Sequence, residues 1–125
     1  MTDPNAPRPT VSVCRSCRGS NPDLPPEQRP GVVLSQGLCA VEPGDVAVQV
    51  VDCLGNCNRG PSVALQCAGR WQYLFGEIDP VTGPADLLAA ARLLAVSTDG
   101  LLPWRERPPA LKKGLIARLP PLQSP

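Results

Sequence analysis

Six cysteines and no histidine set the chemistry open to this 125-residue chain. Four of the cysteines come as two tight pairs. Cys14 and Cys17 form Cys-x2-Cys in "CRSCRG", and Cys53 and Cys57 form Cys-x3-Cys in "VDCLGNCNRGPSVAL". Such spacings let two sulfurs reach one ion without straining the backbone. Two pairs therefore supply four thiolates, a set that suits tetrahedral zinc, a single iron or an iron–sulfur cluster. Gly55 and Gly60 allow sharp turns that bring backbone N–H groups toward the sulfurs. Arg15, Arg18 and Arg59 would favour thiolates and offset cluster charge. The absence of histidine removes Rieske ligation, mixed cysteine–histidine zinc fingers and histidine-dependent acid–base catalysis.

Ordinary reduced thiols are the plain alternative, since cysteine is a common buried residue. Two close pairs weigh against it. For Cys39, within a predicted helix, and Cys67, near a strand end, the balance reverses. Both read as packed thiols, with Cys67 the better-placed spare ligand. Asp45, Asp52 and Asp79 read as strand-end or turn residues.

The elements that must position the thiols follow from pattern. "TVSVC", residues 10–14, alternates with β-branched residues and predicts a strand that ends on Cys14. Residues 14–31 hold four prolines and predict a long irregular loop. "VVLSQGLCAVE", residues 32–42, places Val33, Leu34, Leu38 and Val41 near helical spacing. "DVAVQVVDC", residues 45–53, predicts a largely buried strand ending on Cys53. "SVALQC" and "WQYLF" predict a hairpin over residues 62–75. "PADLLAAARLLAV", residues 84–96, is the clearest helix. Pro84 suits its start, Asp86 its first turn, and Leu87, Leu88, Ala91, Leu94 and Ala95 its apolar stripe.

The order, β-α-β then β-β-α, predicts an α/β thioredoxin-like domain with a four-stranded mixed sheet (β-α-β-β-β-α), an irregular proline-rich loop and a C-terminal tail. Other α+β arrangements also fit that order. If the first two strands are parallel neighbours, Cys14, Cys17, Cys53 and Cys57 converge at one rim, at the carboxyl ends of strands. The expected organisation is a flexible arm over residues 1–9, the domain over 10–98 and a basic, proline-rich tail over 99–125. The tail either packs on its own domain or docks an acidic partner by charge complementarity.

A net charge of +1 argues for neither nucleic acid nor membrane as a partner. With only 3% aromatic residues, base-stacking platforms are not expected. "MTDPNAPR" lacks the apolar core of a signal peptide, and no apolar run reaches membrane-spanning length. The cytoplasm is the expected compartment. Disulfides are rarely kept there, so metal or redox chemistry is the first reading of the cysteines.

"CLGNCNRGPSVAL", residues 53–65, resembles the second cysteine motif of the thioredoxin-like 2Fe–2S ferredoxins, a family that includes the small iron–sulfur subunit of respiratory complex I. Cys14 and Cys17 match the earlier pair by position, although that family usually spaces its first two cysteines more widely. The resemblance spans residues 10–96. It implies a 2Fe–2S cluster in which each cysteine pair holds one iron. From "CRSCRG" through "GRWQYLFGEIDP" to "DGLLPWRERPPALKKGLIARLPPL", the chain is also similar to a small bacterial family of predicted metal-binding proteins. That second resemblance suggests a link to cobalamin synthesis.

The leading expectation is a metal-binding protein, not an enzyme: a 2Fe–2S electron carrier ligated by Cys14, Cys17, Cys53 and Cys57. Its partner would be an unidentified redox protein, and a homodimer is an assembly the sequence allows. A zinc or other metal-binding module, structural or metal-delivering, is the alternative. A thiol–disulfide oxidoreductase using "CRSC" ranks third, because the residues that follow do not predict the helix start that activates such a thiol.

Overall fold

The structure, a computed structural model, describes residues 8–15, 23, 25–41, 44–55 and 61–121. The chain runs β1 (Thr10–Cys14), α1 (Pro30–Ala40), β2 (Ala47–Val51), β3 (Val63–Gln66), β4 (Gln72–Phe75), α2 (Gly83–Ala95) and β5 (Leu115–Leu119). The five strands form one mixed sheet in the order β2-β1-β3-β4-β5. β1 and β2 are parallel, and the other neighbouring pairs are antiparallel. The α/β reading holds, and one correction concerns strand count. The sheet has five strands rather than four, because residues 115–119 of the tail pair with β4.

Register decides which residues make the core. Val11, Leu65 and Tyr73 lie side by side across β1, β3 and β4, as do Val13, Val63 and Phe75. All six are buried, and they share a cluster with Leu34 and Leu38 of α1 and Leu87 and Leu94 of α2. Each such side chain stabilises the fold by about 1.5–3 kcal/mol. The opposite face carries a row of Ser12, Ala64, Leu74 and Ala117. Small and polar residues dominate there, and Ser12 Oγ donates to Gln49 Oε1 at 3.3 Å.

Two expectations about burial are overturned. β2 is not a largely buried strand. It lies at the sheet edge, and Val50 is 43% exposed. On α1 Val33 is exposed, as is Val41 just past the helix end, and the buried face is Gly31, Leu34, Ser35 and Leu38. The helix begins at Pro30, two residues before the predicted start, because Pro30 suits the first helical position. α2 follows its predicted stripe, with Leu87, Leu88, Ala91 and Leu94 buried. Asp79 prepares the helix start by accepting the N–H groups of Val81 and Thr82. Among the described residues no helix is long and apolar enough to cross a membrane.

One ion pair ties α2 to the turn before β2: Arg92 Nε lies 2.9 Å from Asp45 Oδ1. The hydrogen bond from Arg92 holds the Asp45 carboxyl below its ordinary pKa. A depressed native pKa means stability that is present above the ordinary Asp value, about 3.9. It is lost as the pH falls through the native value. Both side chains are nearly half exposed, so screening keeps the contribution below about 1 kcal/mol. Asp45→Asn should lower the urea midpoint slightly at neutral pH, and the difference from the parent should vanish at the acid end. A constant difference across that range would show that the pair is not its source.

Candidate metal centre

β1 and β2 deliver the described thiols to one end of the sheet. Their parallel register pairs Thr10 with Ala47 and runs to Cys14 beside Val51. Cys53 lies two residues beyond that last pair. The ladder continues past it, since Arg15 N donates to Val51 O at 2.9 Å. On its other side Cys14 N donates to Ser62 O at 3.1 Å, which fixes Cys14 between β2 and β3. Its side chain is only 1% exposed, and its Sγ lies 3.6 Å from the carbonyl oxygen of Asp52, within reach for a thiol donor.

Cys53 is exposed. Its Sγ accepts the N–H of Gly55 at 3.2 Å. Gly55 has φ +78°, a conformation that side-chain-bearing residues rarely adopt. The turn that aims this N–H at sulfur therefore depends on glycine. Gly31 serves the other thiol by close approach. A Cβ built there would stand 2.1 Å from the carbonyl oxygen of Cys14, so the first turn of α1 is seated against the end of β1. The positive end of the helix dipole accordingly lies at the cysteine rim.

Arg15 and Asp52 pair across the two turns at 2.5 Å, both well exposed. Arg15 therefore shares its charge with Asp52 rather than offering all of it to the thiols. From the sequence Asp52 is expected only as a strand-end or turn residue. The signal available was its position one residue before Cys53, opposite Arg15, which itself follows Cys14.

Cys17 and Cys57 lie outside the described residues, as do Arg18, Arg59 and Gly60. The structure thus brings Cys14 and Cys53 to one rim and describes that half of the predicted set. Among the described residues no three His, Cys, Asp or Glu side chains gather as a metal group. The donors that are described fit a thiolate-bound group in chemistry, since Cys53 sulfur already accepts an N–H of the kind that stabilises bound thiolate.

The remaining cysteines separate. Cys39 is exposed on α1, which corrects the expectation of a packed thiol. Cys67 is buried at 8% exposure. It follows β3, which runs antiparallel to β1 with Gln66 beside Thr10. That puts it at the opposite end of the sheet from Cys14. Burial pushes its thiol pKa up, so at neutral pH it stays protonated and is a poor spare ligand.

A mixed sheet with α1 and α2 in one core, and thiols at the ends of two parallel strands, defines a thioredoxin-like α/β protein. The chain belongs to the family described as "Protein of unknown function (DUF1636)", whose model matches residues 11–121. Its fold is similar to the structure of a thioredoxin-like 2Fe–2S ferredoxin from Aquifex aeolicus. The match has a TM-score of 0.50 at 17% identity, and covers 88% of this chain and 91% of that one. No curated protein matches the chain.

Proposed function

We propose that this protein binds metal through Cys14, Cys17, Cys53 and Cys57, and that the bound group is a 2Fe–2S cluster serving as a one-electron carrier. The observation that carries the reading is the β1–β2 register, which puts Cys14 and Cys53 at the same end of neighbouring parallel strands. The likeness in fold to a 2Fe–2S ferredoxin supports it. A bound cluster would supply reversible one-electron transfer, at a potential set by burial and hydrogen bonds to sulfur.

The chain's own residues divide the work. Cys14 anchors the site on its buried side, and Cys53 holds the solvent side with its sulfur bonded to Gly55 N–H. Electrons would pass to a redox partner across the exposed rim marked by Arg15 and Asp52. The burial of Cys14 counts against a thiol–disulfide oxidoreductase, whose attacking thiol must be reachable.

The test is metal and sulfide analysis of protein purified without oxygen. The expected result is a red-brown protein with iron and acid-labile sulfide in equal amounts and a paramagnetic signal on reduction. A colourless protein carrying zinc would replace the cluster with a four-thiolate zinc site, and a metal-free protein would end both readings. The Gly55 N–H makes a finer prediction. Gly55→Ala strains the left-handed backbone by about 1 kcal/mol and misdirects the N–H. Losing a hydrogen bond to sulfur disfavours the more negative reduced state, so the reduction potential should fall. A potentiometric titration that superposes on the parent would remove Gly55 from this role.

A further inference from the structure

The C-terminal segment builds a second site, away from the cysteines. A cleft of about 440 Å³ lies between the 99–107 segment and the β4–β5 pair. Its walls are mainly apolar, with Leu102, Trp104 and Leu115, and two arginines, Arg107 and Arg118, also line it. By strand spacing, β5 lies roughly 14 Å across the sheet from β1 and Cys14.

Arg107 is the unusual member. Its side chain is buried at 7% exposure. Nη2 donates to the Leu102 carbonyl at 2.9 Å, while Nε is closed off from solvent with no acceptor. The guanidinium lies 5.1 Å from the Trp104 ring and 5.6 Å from the Tyr73 ring. Those ring faces attract the cation without neutralising it. No carboxylate pairs with it among the described residues. Asp99 also borders the cleft, but one of its oxygens is engaged by Ser97 Oγ at 2.7 Å and Leu101 N at 3.0 Å. Burial lowers the Arg107 pKa most, Tyr73 offsets part of this, and the Arg118 cation lowers it again. Two cations that disfavour each other thus meet at one cleft.

Buried charges in proteins are normally paired. A guanidinium matches the planar fork of a carboxylate. The cleft volume falls within the range of small-molecule sites. Its apolar walls would stay wet around a bare inorganic anion. We propose that this cleft binds a small organic carboxylate, its carboxyl group held by Arg107 and Arg118 and its apolar body set against Trp104 and Leu115. This site is independent of the proposed cluster.

The test is an amide and indole NMR titration of the full chain with phenylacetate, its neutral analogue phenylacetamide, and inorganic phosphate. Phenylacetate should move the Leu102, Arg107 and Trp104 signals at millimolar concentration. Phenylacetamide and phosphate should each bind roughly tenfold more weakly or worse, because the charge-assisted bond or the apolar contact is missing. Arg107→Gln should weaken phenylacetate by a similar factor. Because losing a buried side chain can loosen the 99–107 segment, Arg118→Gln on exposed β5 serves as the second variant. It should weaken binding several-fold while leaving the rest of the spectrum in place. The proposal is overturned if phenylacetate leaves these signals unmoved, or if phenylacetamide or phosphate binds as well as phenylacetate. Movement of the signals by a glutamate-rich peptide alone would also overturn it.

Discussion

On the proposed cluster reading, Cys14→Ser protein purified without oxygen is expected to hold iron and acid-labile sulfide at roughly a tenth of the parent's level or less, since even changes to groups that only hydrogen-bond a metal ligand cost about 10–100-fold in metal affinity. The substitution suits the site because serine is nearly isosteric. It fills nearly the same buried space. The fold should therefore survive while the metal does not, and far-ultraviolet circular dichroism would verify that. Cys53→Ser, on the exposed side, should behave alike. Two controls come from the same chain. Cys39→Ser, on the exposed side of α1, and Cys67→Ala, at the opposite end of the sheet, should both keep full metal content. Cys67→Ala will cost some stability through lost burial. Metal retained by both Cys14→Ser and Cys53→Ser would dismiss this rim as the binding site.

Gly31→Ala should be the most destabilising single methyl that can be added near the site. The new Cβ would stand 2.1 Å from the carbonyl oxygen of Cys14 and 3.1 Å from the carbonyl carbon of Arg15. Both neighbours are backbone, so no side-chain rotation relieves the contact. Either α1 shifts off the sheet or the end of β1 moves. Overpacking of a tight interior usually costs about 1–3 kcal/mol, and a clash with fixed backbone belongs at or above the top of that range. A loss of about 3 kcal/mol or more is a large share of the 5–15 kcal/mol typical of a domain. The check is the urea midpoint at constant slope, which should drop clearly. Because the displaced atoms belong to Cys14 and Arg15, metal content should fall as well. A variant as stable as the parent would mean that α1 is not seated on Cys14 as described.

Several elements were legible because local pattern and final environment agree. β1 was read to its exact bounds, since its alternation matches a central strand with one face in the core. α2 was read through its stripe, and α1 through Leu34 and Leu38. Other residues misled for a common reason: their burial is set by neighbours distant in sequence. Val50 alternates with Val48 like a core residue, yet Val48 only borders the core and Val50 is exposed, because β2 has a partner on one side only. "LIARL" in the tail offers five strand residues, but flanking prolines and charges hide a pattern that pairing with β4 makes useful. Arg107 reads as one more solvated charge of a basic tail, whereas the fold closes Leu102, Tyr73 and Trp104 around it.

By itself the sequence determined the chemistry on offer. Four thiols in two short-spaced pairs, with no histidine anywhere, offer thiolate ligation and exclude imidazole, because ligand type is a property of composition and of spacing within one turn. The tertiary structure alone decided placement. Parallel pairing of β1 with β2 put Cys14 and Cys53 at one rim, and the antiparallel run of β3 sent Cys67 to the far end. Strand order and direction depend on contacts between segments dozens of residues apart, and no local window of sequence contains them.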